Sequence, residues 1–364
     1  MRLNLCDTRG GSRRQTQQKS GVDVIKLASN ENPFGPSPKA LEAMQMVLRD
    51  VHLYPDNDVS ELRQKLAEFH GIGPQNITPA AGSTGLLGLI ARTLLAPGLN
   101  AITSERSFLI YPVATQAAGG RLIQTAMRED SFDLDAILQA VDRDTRIVFL
   151  SNPNNPTGTI RTASVIDRFL HQLPHHVTVV LDEAYYDFAE HFSKLRGIDY
   201  SHAIDWVKEG RKVVVLRTFS KVHGLAGIRV GYAIGPAELM ACVERMRTTF
   251  SVSVVAQAAA VAALRDQPHI QKTLENNARQ AERLIEELAG LGYEVAPTWA
   301  NFLYCELKED ASKVARHMQQ AGVMIRSLEA WGAPTAIRVT IGTPEQNDLF
   351  LRALKKVSGR AAVR

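Results

Sequence analysis

The chain between about residues 50 and 240 alternates short apolar runs with segments whose apolar residues recur at helical spacing. The apolar runs are rich in β-branched residues and end in turn residues, which is typical of buried strands. The strands predicted from them are 100–104, 121–125, 146–150, 177–181, 213–216 and 229–234. A helix is predicted before them at 38–49, and the helices predicted between them are 84–95, 111–118, 134–140, 163–172 and 236–247. Strands that alternate with helices predict an α/β fold with a mostly parallel sheet covered on both faces.

The pattern changes after about residue 250. An Ala- and Val-rich helix is predicted at 251–264, and a long, highly charged helix at 270–288. A smaller α+β unit follows, with strands predicted at 301–306, 324–326 and 337–341 and helices at 311–321 and 344–356. We therefore predict a mobile N-terminal arm (1–25), an N-terminal segment that packs with the small domain (26–50), a large domain (51–265) and a small C-terminal domain (266–364).

Composition narrows the class of protein. The 364 residues are 45% hydrophobic and 22% charged, which is typical of a soluble globular protein. The net charge of +4 is scattered along the chain, which argues against nucleic-acid binding and suits an anionic substrate. No apolar run is long enough for a membrane span, and the N-terminus has no signal-like apolar segment. The three cysteines lie far apart without metal-ligand spacing. We expect a cytoplasmic protein with no membrane, nucleic-acid or metal partner.

One stretch, TFSKVHGLAGIRVGY at 218–232, combines a lysine, hydroxyl residues, glycines and an arginine behind an apolar run. Lys221 comes directly after Ser220, and Arg229 follows eight positions later. A lysine beside phosphate-binding groups and an apolar wall is how a protein holds an aldehyde cofactor as a Schiff base. The stretch makes Lys221 the first candidate for a catalytic residue.

Three further strand ends carry polar residues. Asp182 directly follows the strand 177–181, and a buried carboxylate at that position needs a cationic partner. The strand 146–150 leads into SNPNNPTG, a loop that presents amide groups at the carboxyl edge of the sheet. The sequence ITPAAGSTG at 77–85 runs from a strand into a helix start, where free backbone N–H groups attract an anion. A magnesium site at Asp182 would need a phosphate loop of the Gly-x4-Gly-Lys-Ser/Thr type, and the sequence has none.

These elements are the parts that pyridoxal phosphate needs together, and with them the chain resembles the fold-type I, class II aminotransferases that use this cofactor. Within that family it is similar to the group that acts on histidinol phosphate. The motifs that carry the resemblance are KLASNENPFGPSP at 26–38, YPD at 54–56, NPTG at 155–158, DEAY at 182–185, SK at 220–221 with Arg229, and IRVTIGT at 337–343. The resemblance covers about residues 26–356. It implies a large domain with a mostly parallel seven-stranded sheet and a smaller α+β domain.

The resemblance also implies roles for individual residues. Lys221 would form the Schiff base and then move a proton between the substrate carbon and the cofactor's aldehyde carbon. Asp182 would keep the ring nitrogen protonated, while Asn155 and Tyr185 would donate hydrogen bonds to the phenolic oxygen. The cofactor phosphate would be bound by Ser83, Thr84, Thr218, Ser220 and Arg229.

The remaining residues implied by the resemblance line the cofactor ring, the partner subunit and the substrate. Phe108 would stack on the ring, and Tyr54 would reach the cofactor phosphate of the partner subunit, which implies a homodimer. Arg326 and Arg338 would bind the acidic end of the substrate, because guanidinium groups bind oxyanions with two parallel hydrogen bonds. Asn30 and Phe34 belong to the same substrate-binding set, and Phe34 stands where the family pattern has tyrosine.

The expected reaction is transfer of an amino group between histidinol phosphate and 2-oxoglutarate, which gives imidazole-acetol phosphate and glutamate in histidine biosynthesis. Three alternatives stay open at this point. An aromatic amino-acid aminotransferase could use the same scaffold, and Phe34 allows it. A threonine-phosphate decarboxylase has closely similar motifs. The alternative from another class, a non-catalytic regulator that binds pyridoxal phosphate, is disfavoured because the full catalytic set is present.

Overall fold

A computed structural model describes residues 24–359, so nearly all of the predicted N-terminal arm lies outside the described part of the chain. The strands are β1 (Ile25–Lys26), β2 (Ile77–Ala80), β3 (Asn100–Ser104), β4 (Arg121–Thr125), β5 (Met127–Arg128), β6 (Ser131–Phe132), β7 (Thr145–Ser151), β8 (Thr178–Asp182), β9 (Val213–Thr218), β10 (Gly231–Ile234), β11 (Glu294–Val295), β12 (Phe302–Glu306), β13 (Val323–Met324), β14 (Arg326–Leu328) and β15 (Ala333–Thr340).

Helices cover both faces of the larger sheet and one face of the smaller one. They are α1 (Pro38–Val47), α2 (Ser60–His70), α3 (Gly82–Leu94), α4 (Ile110–Ala117), α5 (Leu134–Ala140), α6 (Ala163–Gln172), α7 (Tyr186–Arg196), α8 (Ala203–Lys208), α9 (Ala237–Arg245), α10 (Val254–Ala263), α11 (Gln267–Gly290), α12 (Ala311–Gln320) and α13 (Pro344–Ser358). Short 3-10 helices occur at Leu48–Asp50, Pro74–Asn76 and Glu329–Trp331.

The large domain contains the seven-stranded, mostly parallel sheet that the family resemblance implies. Its strand order is β2-β10-β9-β8-β7-β3-β4, and β10 pairs antiparallel with both of its neighbours. The central strands β7, β8 and β9 are apolar and almost wholly buried, because helices cover them from both sides. Two apolar cores, one on each face, hold the sheet between the helices.

The small domain is built on an antiparallel four-stranded sheet of order β11-β12-β15-β14. The single strand predicted at 324–326 is divided in the structure: β13 pairs with β1, whereas β14 pairs with β15. The chain changes from one sheet to the other at Ile325, so one apolar run serves two different partners. The capping box of Thr343 and Gln346 begins α13, which closes the small-domain core.

The N-terminal segment touches both domains. β1 pairs with β13 on the small domain, while α1 packs against α10 of the large domain and buries Ala40 there. The Ser37 hydroxyl caps α1 and donates a 2.6 Å hydrogen bond to Asp266, just before α11. The segment thus links the two domains next to the start of the long helix. The predicted domain boundaries stay a prediction.

Three helices were not predicted from the sequence: α2, α7 and α8. In α2 the buried residues are Leu62, Leu66 and Ala67, and charged residues surround them along the chain. Three buried residues give only a weak helical periodicity in the sequence. The helix is stabilised by packing against β2 and α10. Within residues 24–359, no helix combines enough length and hydrophobicity to cross a membrane.

Candidate active site

A cavity of about 470 Å³ opens at the carboxyl ends of the central strands, between the two domains. It brings together every predicted site residue except Phe34 and Tyr54. The predicted residues in its lining are Asn30, Ser83, Thr84, Phe108, Asn155, Asp182, Tyr185, Thr218, Ser220, Lys221, Arg229, Arg326 and Arg338.

The parallel register of the sheet explains why distant residues meet here. β7 ends at Ser151, which lies directly beside Asp182 at the end of β8. β9 ends at Thr218, three residues before Lys221. Because the carboxyl ends of parallel strands share one edge, the loops that follow them converge on the same cavity.

Asp182 lies at the base of the cavity and is almost fully buried. The Tyr111 hydroxyl donates a 3.0 Å hydrogen bond to one carboxyl oxygen, and the Ala184 N–H donates one of 3.2 Å to the other. Burial raises the pKa of Asp182 to about 6, although both hydrogen bonds act in the opposite direction. The carboxyl group therefore favours a cationic partner that would restore its ionised form.

Lys221 lies in the same cavity, and its amine donates to the carbonyl oxygen of Asn30 at 3.2 Å. Burial lowers its pKa to about 7, and the nearby Arg338 guanidinium contributes to the same effect. A large share of this amine is thus neutral and nucleophilic near pH 7. After Lys221 the backbone turns at Gly224, where a Cβ atom would lie 2.0 Å from the Gly35 carbonyl oxygen.

A hydrogen-bond network surrounds the Tyr185 hydroxyl. The hydroxyl oxygen accepts a 2.8 Å hydrogen bond from the side-chain amide of Asn30 and a 3.4 Å one from the side-chain amide of Asn155. Burial raises the pKa of Tyr185, and the Arg338 charge acts against that rise. The side-chain carbonyl oxygen of Asn155 in turn accepts a hydrogen bond from the Arg338 guanidinium. The network connects the two domains across the cavity.

One end of the cavity is built to bind an anion. Ser83 and Thr84 lie in the first turn of α3, where backbone N–H groups lack intrahelical partners. The Thr218 hydroxyl donates to Ser220 at 3.0 Å, and the Arg229 guanidinium donates to Ser220 at 3.2 Å. The guanidinium also packs against α3, since a Cβ on Gly82 would lie 2.6 Å from it. Hydroxyls, amides and a guanidinium converge there.

The opposite end carries two arginines that face each other across the antiparallel pair β14 and β15. Arg338 is buried, and it donates to the Ala28 carbonyl at 2.9 Å. Burial lowers the pKa of Arg338 to about 10 and also lowers that of Arg326. Like charges directly opposite each other destabilise a sheet. An anion between them would remove that cost.

Three arginines of the cavity have no carboxylate partner in the described part of the chain. Between residues 24 and 359, no ion pair includes Arg229, Arg326 or Arg338. The Nε atoms of Arg326 and Arg338 are buried and have no acceptor within the described residues. A buried cation without a partner is costly, so the end with Arg338 is suited to an anionic group. At the other end, the exposed Arg229 and the free N–H groups of α3 suit a second anionic group.

Phe34 and Tyr54 lie outside this cavity in the single chain. Phe34 lines a neighbouring cleft, where the Lys272 amine lies 4.4 Å from the centre of its ring. Tyr54 is 82% exposed and stacks on Phe250 with ring centres 4.5 Å apart. Phe108 lines the main cavity and contacts Tyr111 edge to face.

Sequence reasoning missed three contributors to the site. Tyr111 holds Asp182, and Trp331 lines the cavity beside Arg338. The buried ion pair of Arg217 and Glu183, at 2.8 Å, joins the ends of β8 and β9 behind the cavity. Glu183 directly follows Asp182 at the end of β8, and Arg217 directly precedes Thr218 at the end of β9, so their positions could have suggested this pair. No local signal pointed to Tyr111 or Trp331.

The donor set fits pyridoxal 5'-phosphate. Its phosphate matches the α3 end of the cavity, and its ring nitrogen would supply the cation that Asp182 lacks. Its aldehyde needs an amine such as Lys221, and its phenolic oxygen needs donors such as Asn155 and Tyr185. Within residues 24–359, no group of three or more His, Cys, Asp or Glu side chains could hold a metal ion.

Comparison with known proteins agrees with this site. The family model for class I and II aminotransferases matches residues 22–354. A histidinol-phosphate aminotransferase of Moorella thermoacetica is 42% identical over 347 residues, which cover 94% of this chain and 88% of that protein. Histidinol-phosphate aminotransferase 2 of Pseudomonas aeruginosa is 43% identical over 340 residues, which cover 93% of this chain and 90% of that protein. The chain belongs to the class I and II aminotransferase family.

A solved structure extends the likeness to three dimensions. The histidinol-phosphate aminotransferase of Sinorhizobium meliloti, in complex with pyridoxal-5'-phosphate, is 30% identical and matches with a TM-score of 0.87. The match covers 95% of this chain and 94% of that one. Together with family membership, it confirms the predicted fold class, the aminotransferase activity and pyridoxal 5'-phosphate as the cofactor.

Proposed function

We propose that this aminotransferase moves an amino group between histidinol phosphate and 2-oxoglutarate, giving imidazole-acetol phosphate and glutamate. The observation that carries the proposal is the pair Arg326 and Arg338, two cations without a carboxylate partner among the described residues, in the cavity that holds Lys221 and Asp182. Both substrates have an acidic end that such a pair can bind, a phosphate in one and a carboxylate in the other. The names of the relatives support the same substrate.

Each residue of the cavity has a defined task in this proposal. When bound, pyridoxal 5'-phosphate draws electrons from the substrate carbon and carries the amino group between the two substrates. Asp182 would hold a proton on the ring nitrogen, and the Tyr111 hydroxyl and the Ala184 N–H orient its carboxyl group. Lys221 would hold the aldehyde group of the cofactor, and its amine would move a proton to or from the substrate carbon. Its lowered pKa supports this task, because the neutral amine can accept that proton.

The substrate is tested by titrating the cofactor-loaded enzyme with single amines. Histidinol phosphate, glutamate, phenylalanine and threonine phosphate are added separately, and the absorbance change to the pyridoxamine form is followed. We expect conversion by histidinol phosphate and by glutamate. A large preference for phenylalanine would establish the aromatic aminotransferase instead. Release of carbon dioxide from threonine phosphate would establish the decarboxylase.

The lysine has its own test. Lys221→Ala should lose the absorbance of the lysine-bound cofactor and lose turnover, since general acid–base groups contribute about 10²–10⁴ in rate. Lys272→Ala is the matched control, because that lysine lies in the neighbouring cleft against Phe34. Near-wild-type transamination by Lys221→Ala would refute the assignment.

We also propose that the enzyme works as a homodimer in the cytoplasm, with Tyr54 reaching the cofactor phosphate of the partner. Tyr54 is exposed, and it lies in a stretch whose exposed apolar side chains suit a covered interface. These exposed side chains are Met46, Leu48, Val51 and Leu53. Sedimentation should give a dimer mass, and Tyr54→Phe should weaken cofactor affinity. A monomer with full activity would contradict the proposal.

A further inference from the structure

Three buried N–H donors in one part of the active cavity have no acceptor among the residues that the structure describes. Two of them are the Nε atoms of Arg326 and Arg338, and the third is the indole Nε1 of Trp331. All three residues line the same cavity, and none of the three atoms has a hydrogen-bond acceptor within residues 24–359. An unpaired buried donor costs free energy, so three together indicate a ligand that accepts from all of them.

The three donors come from one hairpin. Arg326 begins β14, Trp331 ends the 3-10 helix that follows it, and Arg338 lies on β15 opposite Arg326. The Arg338 guanidinium lies 5.8 Å from the centre of the indole ring. The turn closes at Gly332, whose φ of +74° allows its N–H to bond the Glu329 carbonyl. The fold thus places the indole and the two guanidinium groups together.

We propose that Trp331 is a specificity residue that donates its indole N–H to the phosphate of the substrate. A phosphate monoester has three terminal oxygens, which equals the number of unpaired donors. A carboxylate presents two oxygens in one plane, which the two guanidinium groups can bind, whereas a phosphate presents a third oxygen outside that plane. The indole N–H therefore favours the phosphate-bearing substrate over glutamate, which binds the same arginines. This inference rests on the proposed function.

Loss of the indole N–H should therefore weaken the half-reaction with histidinol phosphate and leave the half-reaction with glutamate nearly unchanged. Loss of a hydrogen bond to a charged acceptor weakens binding by about tenfold or more. Trp331→Phe keeps an aromatic ring at this position and removes the N–H group together with part of the indole ring system. The KM for histidinol phosphate should rise about tenfold or more, with little change in kcat. The KM for glutamate should stay within about twofold of the wild-type value.

The chain offers a matched control in Trp299. Its indole N–H is also buried without an acceptor among the described residues, and Arg196 lies 4.8 Å from its ring. It does not line the active cavity. Trp299→Phe should therefore leave the KM of both substrates unchanged. The glutamate half-reaction of Trp331→Phe shows in the same sample whether that variant is folded.

The outcomes separate the inference from the proposed function. If the wild-type enzyme does not convert histidinol phosphate, the proposed function fails. If it does, and Trp331→Phe leaves the KM for histidinol phosphate unchanged, the role of Trp331 is refuted. An equal loss with glutamate would also refute that role, because the indole would then act on the fold and not on the phosphate.

Discussion

Replacing Asp182 by asparagine should stabilise the cofactor-free protein at about pH 8 while it abolishes turnover. The carboxyl group is 3% exposed, and no ion pair within residues 24–359 includes it. Burial raises its pKa from the ordinary 3.8 to about 6. At 1.36 kcal/mol per pH unit, ionising such a group opposes folding by roughly 3 kcal/mol. Asparagine has nearly the same shape and carries no charge, so it avoids this cost.

The pH dependence distinguishes this cause from a general change in packing. The folded chain holds the Asp182 proton more tightly than the unfolded chain does. The contribution of this group to stability is therefore present below pH 3.8 and is lost as the pH rises through about 6. The advantage of Asp182→Asn over the wild type should grow between about pH 5 and pH 8.

The assay is urea unfolding of the cofactor-free proteins, followed by tryptophan fluorescence at both pH values. Asp142→Asn is the control, because hydrogen bonding from Asn100 lowers the pKa of that exposed carboxyl group. Its effect should not grow in the stabilising direction as the pH rises. Added cofactor should stabilise the wild type more than Asp182→Asn, since we propose that the carboxylate binds the ring nitrogen of the cofactor. An Asp182→Asn protein that is less stable than wild type at pH 8, or an advantage independent of pH, would refute the reasoning.

Two further substitutions probe the surroundings of the site. Tyr111→Phe removes a 3.0 Å hydrogen bond from Asp182, so the pKa of that carboxyl should rise further. Cofactor affinity, measured by equilibrium dialysis, should fall at a pH about one unit higher in this variant than in the wild type. An unchanged pH profile would count against the role of this hydrogen bond. Gly224→Ala would place a Cβ 2.0 Å from the Gly35 carbonyl oxygen at a φ of +71°. Thermal unfolding should show that this variant loses about 3 kcal/mol or more of its free energy of unfolding. The control Gly197→Ala should lose about 1 kcal/mol, because Gly197 has a similar φ but open space around it. Equal losses in the two variants would contradict the close contact at Gly224.

Local sequence was sufficient for the elements and for the chemical groups at their ends. The strands of the large sheet lie within about two residues of their predicted bounds because each is a short apolar run that ends in a turn. Asp182 and Lys221 were placed in one predicted site because pyridoxal phosphate needs a carboxylate and an amine together. Helix α7 escaped prediction because Phe188, Ala189, Phe192 and Ser193 are its buried residues, and they stand among charged ones.

The amino-acid sequence by itself determined the fold class, and it predicted the lysine, the aspartate and the phosphate-binding candidates that the cavity brings together. Their chemistry follows from residue type and from position at strand and helix ends. Only the tertiary structure decided which groups remain unpaired. Tyr111 reaches Asp182, and Trp331 joins Arg326 and Arg338, through contacts between segments that no local pattern relates. Hydrogen bonding and burial depend on what lies across the cavity, and that is set by the packing of two domains.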